Sequence, residues 1–180
     1  MREFRRFVGN HVFAWFLLHP TSQSSINELA RELTISPASV KRYTDILLRD
    51  GILSVYRIGT SHLFSLNNDD GVVQELKGAC MMLLLREAGI ASIAEKSMSL
   101  AVYGSAATGT FDERSDIDIL VIGEDRDVAY DSIPEIESSV GHEFQITVIP
   151  YYRWEDLKKQ GDTLVENIMN RHVLFHGAEL

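Results

Sequence analysis

Two aspartates separated by one residue carry the clearest chemical signal in the sequence. Asp116 and Asp118 open the segment 115–123, whose apolar composition predicts a strand. Because successive side chains of a strand point to opposite faces, the two carboxylates lie on one face, and Ile117 lies on the other, towards a core. Paired carboxylates bind divalent cations that prefer hard oxygen ligands, Mg²⁺ above all. The spacing therefore predicts a catalytic metal site at Asp116 and Asp118.

A glycine–serine pair precedes the aspartates in the chain. Gly104 and Ser105 end a short apolar strand predicted at 100–103. Glycine lets a phosphate approach the backbone closely, while the serine hydroxyl and main-chain N–H groups donate hydrogen bonds to it. In phosphoryl transfer, metal ions neutralise the attacking and leaving oxygens beside such a phosphate site. Gly104 and Ser105 are therefore the predicted nucleotide-binding residues.

The segment 102–123, with the sequence VYGSAATGTFDERSDIDILVIG, resembles the nucleotidyltransferases of the DNA polymerase β superfamily, and the minimal nucleotidyltransferases in particular. The signature of that superfamily is a Gly-Ser pair, ten intervening residues and Asp-x-Asp. The resemblance implies a nucleotidyltransferase domain over residues 69–180, with a three-stranded mixed sheet and flanking helices. It also implies Mg²⁺ as the cofactor and a nucleoside triphosphate, ATP, as the ligand.

Two departures from the family pattern bear on activity. Many relatives carry an arginine shortly after the Gly-Ser pair, whereas this sequence has Ala-Ala-Thr at 106–108. Active members also add a third carboxylate from the next strand, which is predicted here at 142–149. Gln145 aligns with the third-acid position, and Glu143 lies two residues away on the same face. Glu143 is the third candidate catalytic residue, and the choice between Glu143 and Gln145 stays open.

Helices are predicted on both sides of these strands. One covers 72–88, and another begins at a capping box formed by Ser132 and Glu135. The apolar residues of the second helix share one face: Ile133, Ile136 and Val140. Trp154 and the pair Tyr151-Tyr152 follow the last of these strands, and we expect them to pack in a core rather than to stack on a nucleobase.

The beginning of the chain predicts three helices followed by a β-hairpin. An apolar helix over 4–19 ends at Pro20, and a capping box, Ser25-x-x-Glu28, starts the second helix. The third helix begins at Ser36-Pro37 and continues to about Asp50, before Gly51. Two strands, at 52–58 and 62–66, flank a turn at Gly59-Thr60-Ser61.

This order of elements resembles the winged helix-turn-helix of many prokaryotic transcription regulators, and residues 29–67 carry the resemblance. It implies a DNA-binding domain over residues 1–68, duplex DNA as the partner, and a homodimer. In that family the third helix enters the major groove and the wing lies along the backbone. The resemblance places five residues at the DNA: Ser36, Ser39, Lys41 and Arg42 at the groove and Arg57 on the wing. Such modules also serve as dimerisation or protein-docking units, which is the alternative.

The charge of the chain is unevenly distributed. Residues 1–68 carry eight Lys and Arg against five Asp and Glu, whereas residues 69–180 carry nine against 21. The net charge of −9 therefore hides a basic first segment followed by an acidic second one. A basic segment favours a polyanionic partner, which supports DNA binding by residues 1–68.

The composition sets the class of protein. An apolar fraction of 45% and a charged fraction of 24% are typical of a folded globular chain. The longest apolar stretch, 79–85, is too short to cross a bilayer, and no cleavable signal peptide is expected at the start. The single cysteine, Cys80, excludes an internal disulfide and is expected to be buried. These features predict a soluble cytoplasmic protein with no membrane contact.

The fold class expected from these elements is α+β, and two functions follow from the resemblances. In the first, the protein is a DNA-binding transcriptional regulator whose nucleotidyltransferase domain binds nucleotide and Mg²⁺ with little turnover. In the second, it is an active Mg²⁺-dependent nucleotidyltransferase that transfers a nucleoside monophosphate to a protein or small molecule. The minimal nucleotidyltransferases imply an antitoxin-like role in that case, with a toxin-like protein as the partner.

Overall fold

The computed structural model describes residues 4–180 and separates the chain into two units, Met1–Cys80 and Met81–Leu180. The division falls inside a long helix, Gly71–Ala88, which confirms the helix predicted at 72–88. Both units mix helices with strands, so the α+β class is confirmed. No helix within residues 4–180 has the length and apolar character needed to cross a bilayer.

The first unit contains three helices before its hairpin. A 3₁₀ turn at Phe4–Arg6 precedes them, and their bounds are α1 (Val8–Leu18), α2 (Ile26–Glu32) and α3 (Pro37–Arg49). Three antiparallel strands, β1 (Gln23–Ser24), β2 (Leu53–Ile58) and β3 (Ser61–Leu66), form a sheet with β3 in the centre. The core of this unit includes Val12, Phe16, Leu29, Val40 and Phe64, all of which are buried.

Local signals in the first unit mostly predict its elements correctly. Ser25 and Glu28 form the capping box, since each side chain accepts a hydrogen bond from the other residue's main-chain N–H. The Oγ of Ser36 accepts from the N–H of Ser39 at 3.1 Å and caps α3. The first helix is shorter than predicted, because the chain makes a 3₁₀ turn before Val8. Strand β1 has only two residues, and no sequence pattern predicts it.

The second unit is built on a four-stranded sheet, so the three-stranded sheet predicted for residues 69–180 is wrong. Its strands are β4 (Ser99–Tyr103), β5 (Ile117–Ile122), β6 (Phe144–Ile149) and β7 (Val173–Gly177), in the spatial order β6-β5-β4-β7. Strands β5 and β6 are parallel, and the other neighbours are antiparallel. The additional strand β7 pairs with β4, whose residues are buried and need hydrogen-bond partners on both edges.

Five helices accompany this sheet along the chain. The long helix is α4, and the others are α5 (Gly104–Thr108), α6 (Ile133–Val140), α7 (Tyr151–Gln160) and α8 (Thr163–Asn170). Leu120 and Ile122 of β5 pack with Trp154 of α7 and with Val165 and Ile168 of α8. The alternate residues of β5, which include Ile117, are buried as well. Strand β5 is therefore covered on both faces, and the side chains at its ends are held firmly.

Two local predictions for the second unit are wrong. Ser132 does not cap α6, since its backbone is already helical at φ −90° and ψ −15° and its Oγ donates to the carbonyl oxygen of Ala129. A 3₁₀ turn at Tyr130–Ser132 leads directly into α6, so no extended capping residue is present. Tyr151 and Tyr152 are 51% and 69% exposed and do not pack in the core.

Other burial predictions are confirmed. The residues that share the apolar face of α6, Ile133, Ile136 and Val140, are buried. Trp154 is 1% exposed and lies in the cluster beneath β5. Cys80 is buried, as the sequence predicts.

Candidate functional site

The antiparallel pairing of β4 with β5 brings the glycine–serine pair to the aspartates. Tyr103, the last residue of β4, pairs with Asp118, so the chain that leaves β4 passes directly over the start of β5. Gly104 then adopts a φ of +67°, a conformation that L side chains rarely take. A Cβ at this position would clash with Oδ2 of Asp118. Glycine is therefore required at position 104 both by the backbone conformation and by the nearby carboxylate.

The turn after β4 is helical rather than extended. Helix α5 covers Gly104–Thr108 and is followed by Gly109, its C-terminal capping residue, which has a φ of +75°. The main-chain carbonyl of Ser105 accepts a hydrogen bond from the N–H of Thr110 at 3.0 Å. Ala106 and Ala107 anchor the turn in the core. The first N–H groups of a helical turn have no partner within that turn, and here they are next to the aspartates.

The two aspartates differ in their environment. Asp116 is exposed and immediately precedes β5, whereas Asp118 is half-buried as the second residue of the strand. Burial, and then the negative charge of Asp116, raise the pKa of the Asp118 carboxyl. Two like-charged carboxylates with one partly desolvated are destabilised unless a cation lies between them. Their hard oxygen atoms fit Mg²⁺ as ligands.

The neighbouring strand β6 presents an amide beside this pair. In the parallel ladder, Asp118 is opposite Gln145, and the Gln145 side chain is exposed. Further along the same face of β6, the Thr147 hydroxyl lies 3.3 Å from the Tyr103 hydroxyl, which shows that side chains from β4 and β6 meet across β5. The face beside the carboxylates is thus polar but brings no further acid from within the strand.

Glu143 lies just before β6. Its carbonyl oxygen accepts a hydrogen bond from the N–H of Ile117 at 2.9 Å, and its side chain is exposed. Within residues 4–180, no three His, Cys, Asp or Glu side chains approach closely enough to hold a metal together. Glu143 therefore does not complete a three-carboxylate group with Asp116 and Asp118 in this geometry. A bound metal would need further oxygen ligands from outside this pair, such as phosphate oxygens.

Two residues near the site were missed by sequence reasoning. Arg171, between α8 and β7, donates from Nε to the carbonyl oxygen of Ala107 at 3.2 Å and so brings a guanidinium to α5. His142 donates from Nδ1 to the carbonyl oxygen of Ser115 at 2.7 Å, directly before Asp116. Both contacts depend on strand pairing between distant segments.

The short loop that precedes the aspartates is held by local contacts. Oδ1 of Asp112 accepts hydrogen bonds from the N–H of Arg114 at 2.8 Å and from the Ser115 hydroxyl at 3.2 Å. The donated hydrogen bond from the Arg114 N–H is the main cause of a lowered pKa at Asp112. The ring of Phe111 packs edge-on against His142, with 6.1 Å between ring centroids. The start of β5 is thus held by hydrogen bonds on one side and by an aromatic contact on the other.

The residues predicted to contact DNA are in the first unit. Four of the five are exposed, namely Ser36, Lys41, Arg42 and Arg57, and Ser39 is half-buried. Each has a local partner: the Ser36 hydroxyl donates to the Ser39 hydroxyl, Lys41 pairs with Asp45 at 2.6 Å, Arg42 lies 5.8 Å from the Tyr43 ring centroid, and Arg57 donates to the Gly59 carbonyl oxygen. The ion pair with Asp45 offsets part of the positive charge on α3.

The site described above lies within a region that matches a known family. The family model for the nucleotidyltransferase domain matches residues 90–174. This range contains Gly104, Ser105, Asp116 and Asp118, together with strands β4, β5 and β6. A search of curated proteins found no match to the sequence.

Proposed function

Because a nucleotidyltransferase domain is present at residues 90–174, we propose that its site binds a nucleoside triphosphate, ATP, together with Mg²⁺. Gly104 and Ser105 would hold the phosphates through main-chain N–H groups and the Ser105 hydroxyl. Asp116 and Asp118 would hold the metal. The observation that carries this proposal is the close approach of Gly104 to the Asp118 carboxylate, since it places the main chain of the Gly104–Ser105 turn beside one of the two aspartates that would hold the metal.

The electrostatics of the pair support binding of metal and nucleotide together. The raised pKa of Asp118 means that its charge is costly in the absence of a cation. Mg²⁺ demands a nearly complete set of oxygen ligands and commonly takes some of them from a substrate phosphate. When bound, Mg²⁺ would neutralise negative charge on the phosphate oxygens. Because the site has two carboxylates and no third acid, we expect it to bind Mg²⁺ only together with the nucleotide.

The position of Gln145 favours nucleotide binding with little turnover. It occupies the place directly opposite Asp118 in the neighbouring strand, where a carboxylate could accept a proton from the attacking group. Glutamine carries no charge and is a poor base. General-base assistance typically contributes about 10²–10⁴-fold to a rate. We therefore infer that this domain senses nucleotide and transfers it slowly.

We also propose that the first unit is a winged helix-turn-helix that binds duplex DNA, which would make the protein a nucleotide-responsive transcriptional regulator. The proposal is supported by three helices followed by the β2–β3 hairpin, with Lys41 and Arg42 exposed on α3. Helix α3 would enter the major groove and Arg57 would contact the backbone from the wing. Dimerisation of such regulators remains a prediction for this chain, as does its cytoplasmic location.

An active, antitoxin-like transferase is the second candidate, and the exposed Glu143 side chain at the start of β6 favours it. A hydroxyl of a toxin-like protein or small molecule would attack the α-phosphorus of the triphosphate, pyrophosphate would leave, and Glu143 would accept the hydroxyl proton. A shift of two residues along a strand is about 6–7 Å. Glu143 would therefore need a local bulge or a bridging water to reach the attacking group.

Calorimetric titration of the full chain with ATP tests the principal proposal. We expect ATP to bind in the presence of Mg²⁺ and to bind much more weakly without it, because Mg²⁺ takes oxygen ligands both from the aspartates and from the phosphates. Asp116→Asn should lower the affinity at least tenfold, whereas Asp131→Asn, an exposed aspartate before α6, is the matched control and should have no effect. Equal titrations of the wild type and Asp116→Asn would remove this residue from the site.

A further inference from the structure

A small cavity of about 60 Å³ lies in the first unit, separate from the residues proposed to contact DNA. Among the residues that the structure describes, three basic and four apolar side chains line it: Arg5, His11 and His19, with Ala14, Trp15, Leu18 and Leu33. No carboxylate is among them. The lining comes from the 3₁₀ turn Phe4–Arg6, from α1 and its C-terminal end, and from the end of α2. The cavity has room for a small ion or a few water molecules.

Arg5 brings a positive charge to this cavity. Its Nε atom is buried and has no hydrogen-bond partner within residues 4–180. The nearby thiol of Cys80 supplies no negative charge, because burial raises its pKa to about 11 and keeps it protonated at neutral pH. Glu32 accepts a hydrogen bond from Trp15 Nε1 and is not among the described residues that line the cavity.

Two histidines line the same space. Burial, and then the charge of Arg5, lower the pKa of His11, which favours its neutral imidazole. His19 stacks on the ring of Trp15, with 4.9 Å between centroids, and its Nδ1 donates to the Trp15 carbonyl oxygen at 2.8 Å. This contact fixes the ring and uses the Nδ1 hydrogen, so the Nε2 of a neutral His19 ring is an acceptor, and His19 serves as a wall of the cavity. An anion would relieve the repulsion between Arg5 and a protonated His11.

We propose that this cavity binds a small oxyanion, a phosphate or a carboxylate group, with the Arg5 guanidinium as the main ligand and His11 as an additional donor. The planar guanidinium matches two oxygens of such a group at once. The apolar walls limit the size of the group and exclude competing water. The oxyanion has two possible sources, a free anion in solution or a phosphate of a DNA backbone.

Binding at this position would tie the 3₁₀ turn to α1 and α2. Thermal unfolding of the full chain with increasing sodium phosphate, at constant ionic strength set with sodium chloride, measures the effect. We expect a saturable rise of roughly 5 °C for the first unit, since a ligand that binds only the folded state stabilises it. Phosphate also stabilises proteins non-specifically, so the comparison of variants decides the result.

Arg5→Gln should lose the saturable rise, whereas Arg126→Gln, an exposed arginine of the second unit, should keep it. His11→Gln should reduce it, and the ring resonances of His11 in the wild type should shift towards the protonated form as phosphate is added. His11→Gln and the ring resonances also serve as the test if Arg5→Gln does not fold. Equal phosphate responses in wild type and variants, with unchanged His11 resonances, would overturn the proposal.

Duplex DNA distinguishes the two sources of the oxyanion. If the cavity takes a backbone phosphate, Arg5→Gln weakens DNA binding and free phosphate competes with DNA beyond its effect on ionic strength. If it takes a free anion, the DNA affinity of Arg5→Gln equals that of Arg126→Gln while the phosphate response differs between them. Sodium acetate in place of phosphate tests whether a carboxylate alone is sufficient.

Discussion

The proposed nucleotide site of the second unit and the proposed DNA-binding face of the first unit are held in different ways. Gly104 and Asp118 are placed by the backbone, through strand register and a left-handed φ, on a strand that is covered on both faces. Lys41 and Arg42 are exposed on α3 and are placed only by the helix that carries them. A site fixed by the backbone accepts few residue types, whereas a surface of a helix accepts many. This difference explains why the proposed nucleotide site has a specific sequence signal, whereas the proposed DNA-binding face has only a general one.

The largest effect is expected from Gly104→Ala, which introduces a side chain where the backbone and Asp118 leave no space. We expect the free energy of unfolding to fall by about 2–4 kcal/mol and ATP affinity to fall at least tenfold. Gly141→Ala is the matched control, because Gly141 also has a positive φ, +83°, but no atom lies within 4 Å of its added Cβ. Gly141→Ala should lower the free energy of unfolding by about 1–2 kcal/mol. Urea unfolding measures both, and equal losses would show that Asp118 does not constrain position 104.

Asp118→Asn should have opposite effects on binding and on stability. It removes a metal ligand, so binding of ATP with Mg²⁺ should be lost. Because the pKa of Asp118 is raised in the folded chain, the ionised carboxylate destabilises the metal-free protein as the pH rises through that pKa. The metal-free variant should therefore unfold at a higher temperature than the wild type at neutral pH, with a smaller difference in acid.

Asp112→Asn provides the contrast within the same region. The N–H of Arg114 lowers the pKa of Asp112, so its charged form stabilises the folded chain above the ordinary carboxyl pKa and this contribution disappears as the pH falls. Asp112→Asn should therefore unfold at a lower temperature than the wild type at neutral pH. Thermal unfolding over a range of pH distinguishes the two aspartates, and shifts of the same sign would contradict their assigned environments.

Gln145→Asp should sharpen the difference between binding and transfer. A carboxylate opposite Asp118 would supply both a third metal ligand and a base, so we expect transfer of nucleoside monophosphate to increase at least tenfold. Gln160→Asp, on an exposed position at the end of α7, is the control and should leave the rate unchanged. Release of pyrophosphate from ATP reports the rate. An unchanged rate in Gln145→Asp would show that the missing acid is not what limits turnover.

The smallest effect is expected from the surface of α3. Replacing both Lys41 and Arg42 by alanine should weaken binding to duplex DNA about tenfold and reduce the salt dependence by roughly two phosphate contacts. Because Lys41 forms an ion pair with Asp45, we expect Lys41 to contribute less than Arg42 to DNA affinity. Lys96→Ala, an exposed lysine of the second unit, is the control for charge. Fluorescence anisotropy at several salt concentrations measures the slope, and unchanged binding favours the alternative of a protein-docking unit.

The parts of the structure that could be predicted are those that depend on short stretches of sequence. The capping box at Ser25, the proline start of α3 and the order of the elements around Gly104 and Asp118 follow from local chemistry. Local chemistry also gave the wrong result at Ser132, because a preceding 3₁₀ turn made this residue helical.

The parts that could not be predicted depend on pairing between distant segments. Strand β7 and the contact of Arg171 with Ala107 both require the end of the chain to return to β4. The family resemblance gives Gln145 the third-acid position, but its pairing with Asp118 follows from the register of two strands joined by a long connection. The side chains around the cavity at Arg5 come from separate elements, and no spacing in the sequence relates them.

The most direct test of the central claim, that the second unit binds nucleotide but transfers it slowly, is one incubation with two readings. The protein is mixed with Mg²⁺ and ATP labelled at the α-phosphate, with cell lysate as the source of acceptors. We predict that the wild type binds the labelled nucleotide reversibly and that Asp116→Asn does not bind it. The wild type should transfer only traces of the label covalently to an acceptor. Rapid covalent labelling of an acceptor that Glu143→Gln abolishes would contradict the claim and show that the protein is an active nucleotidyltransferase.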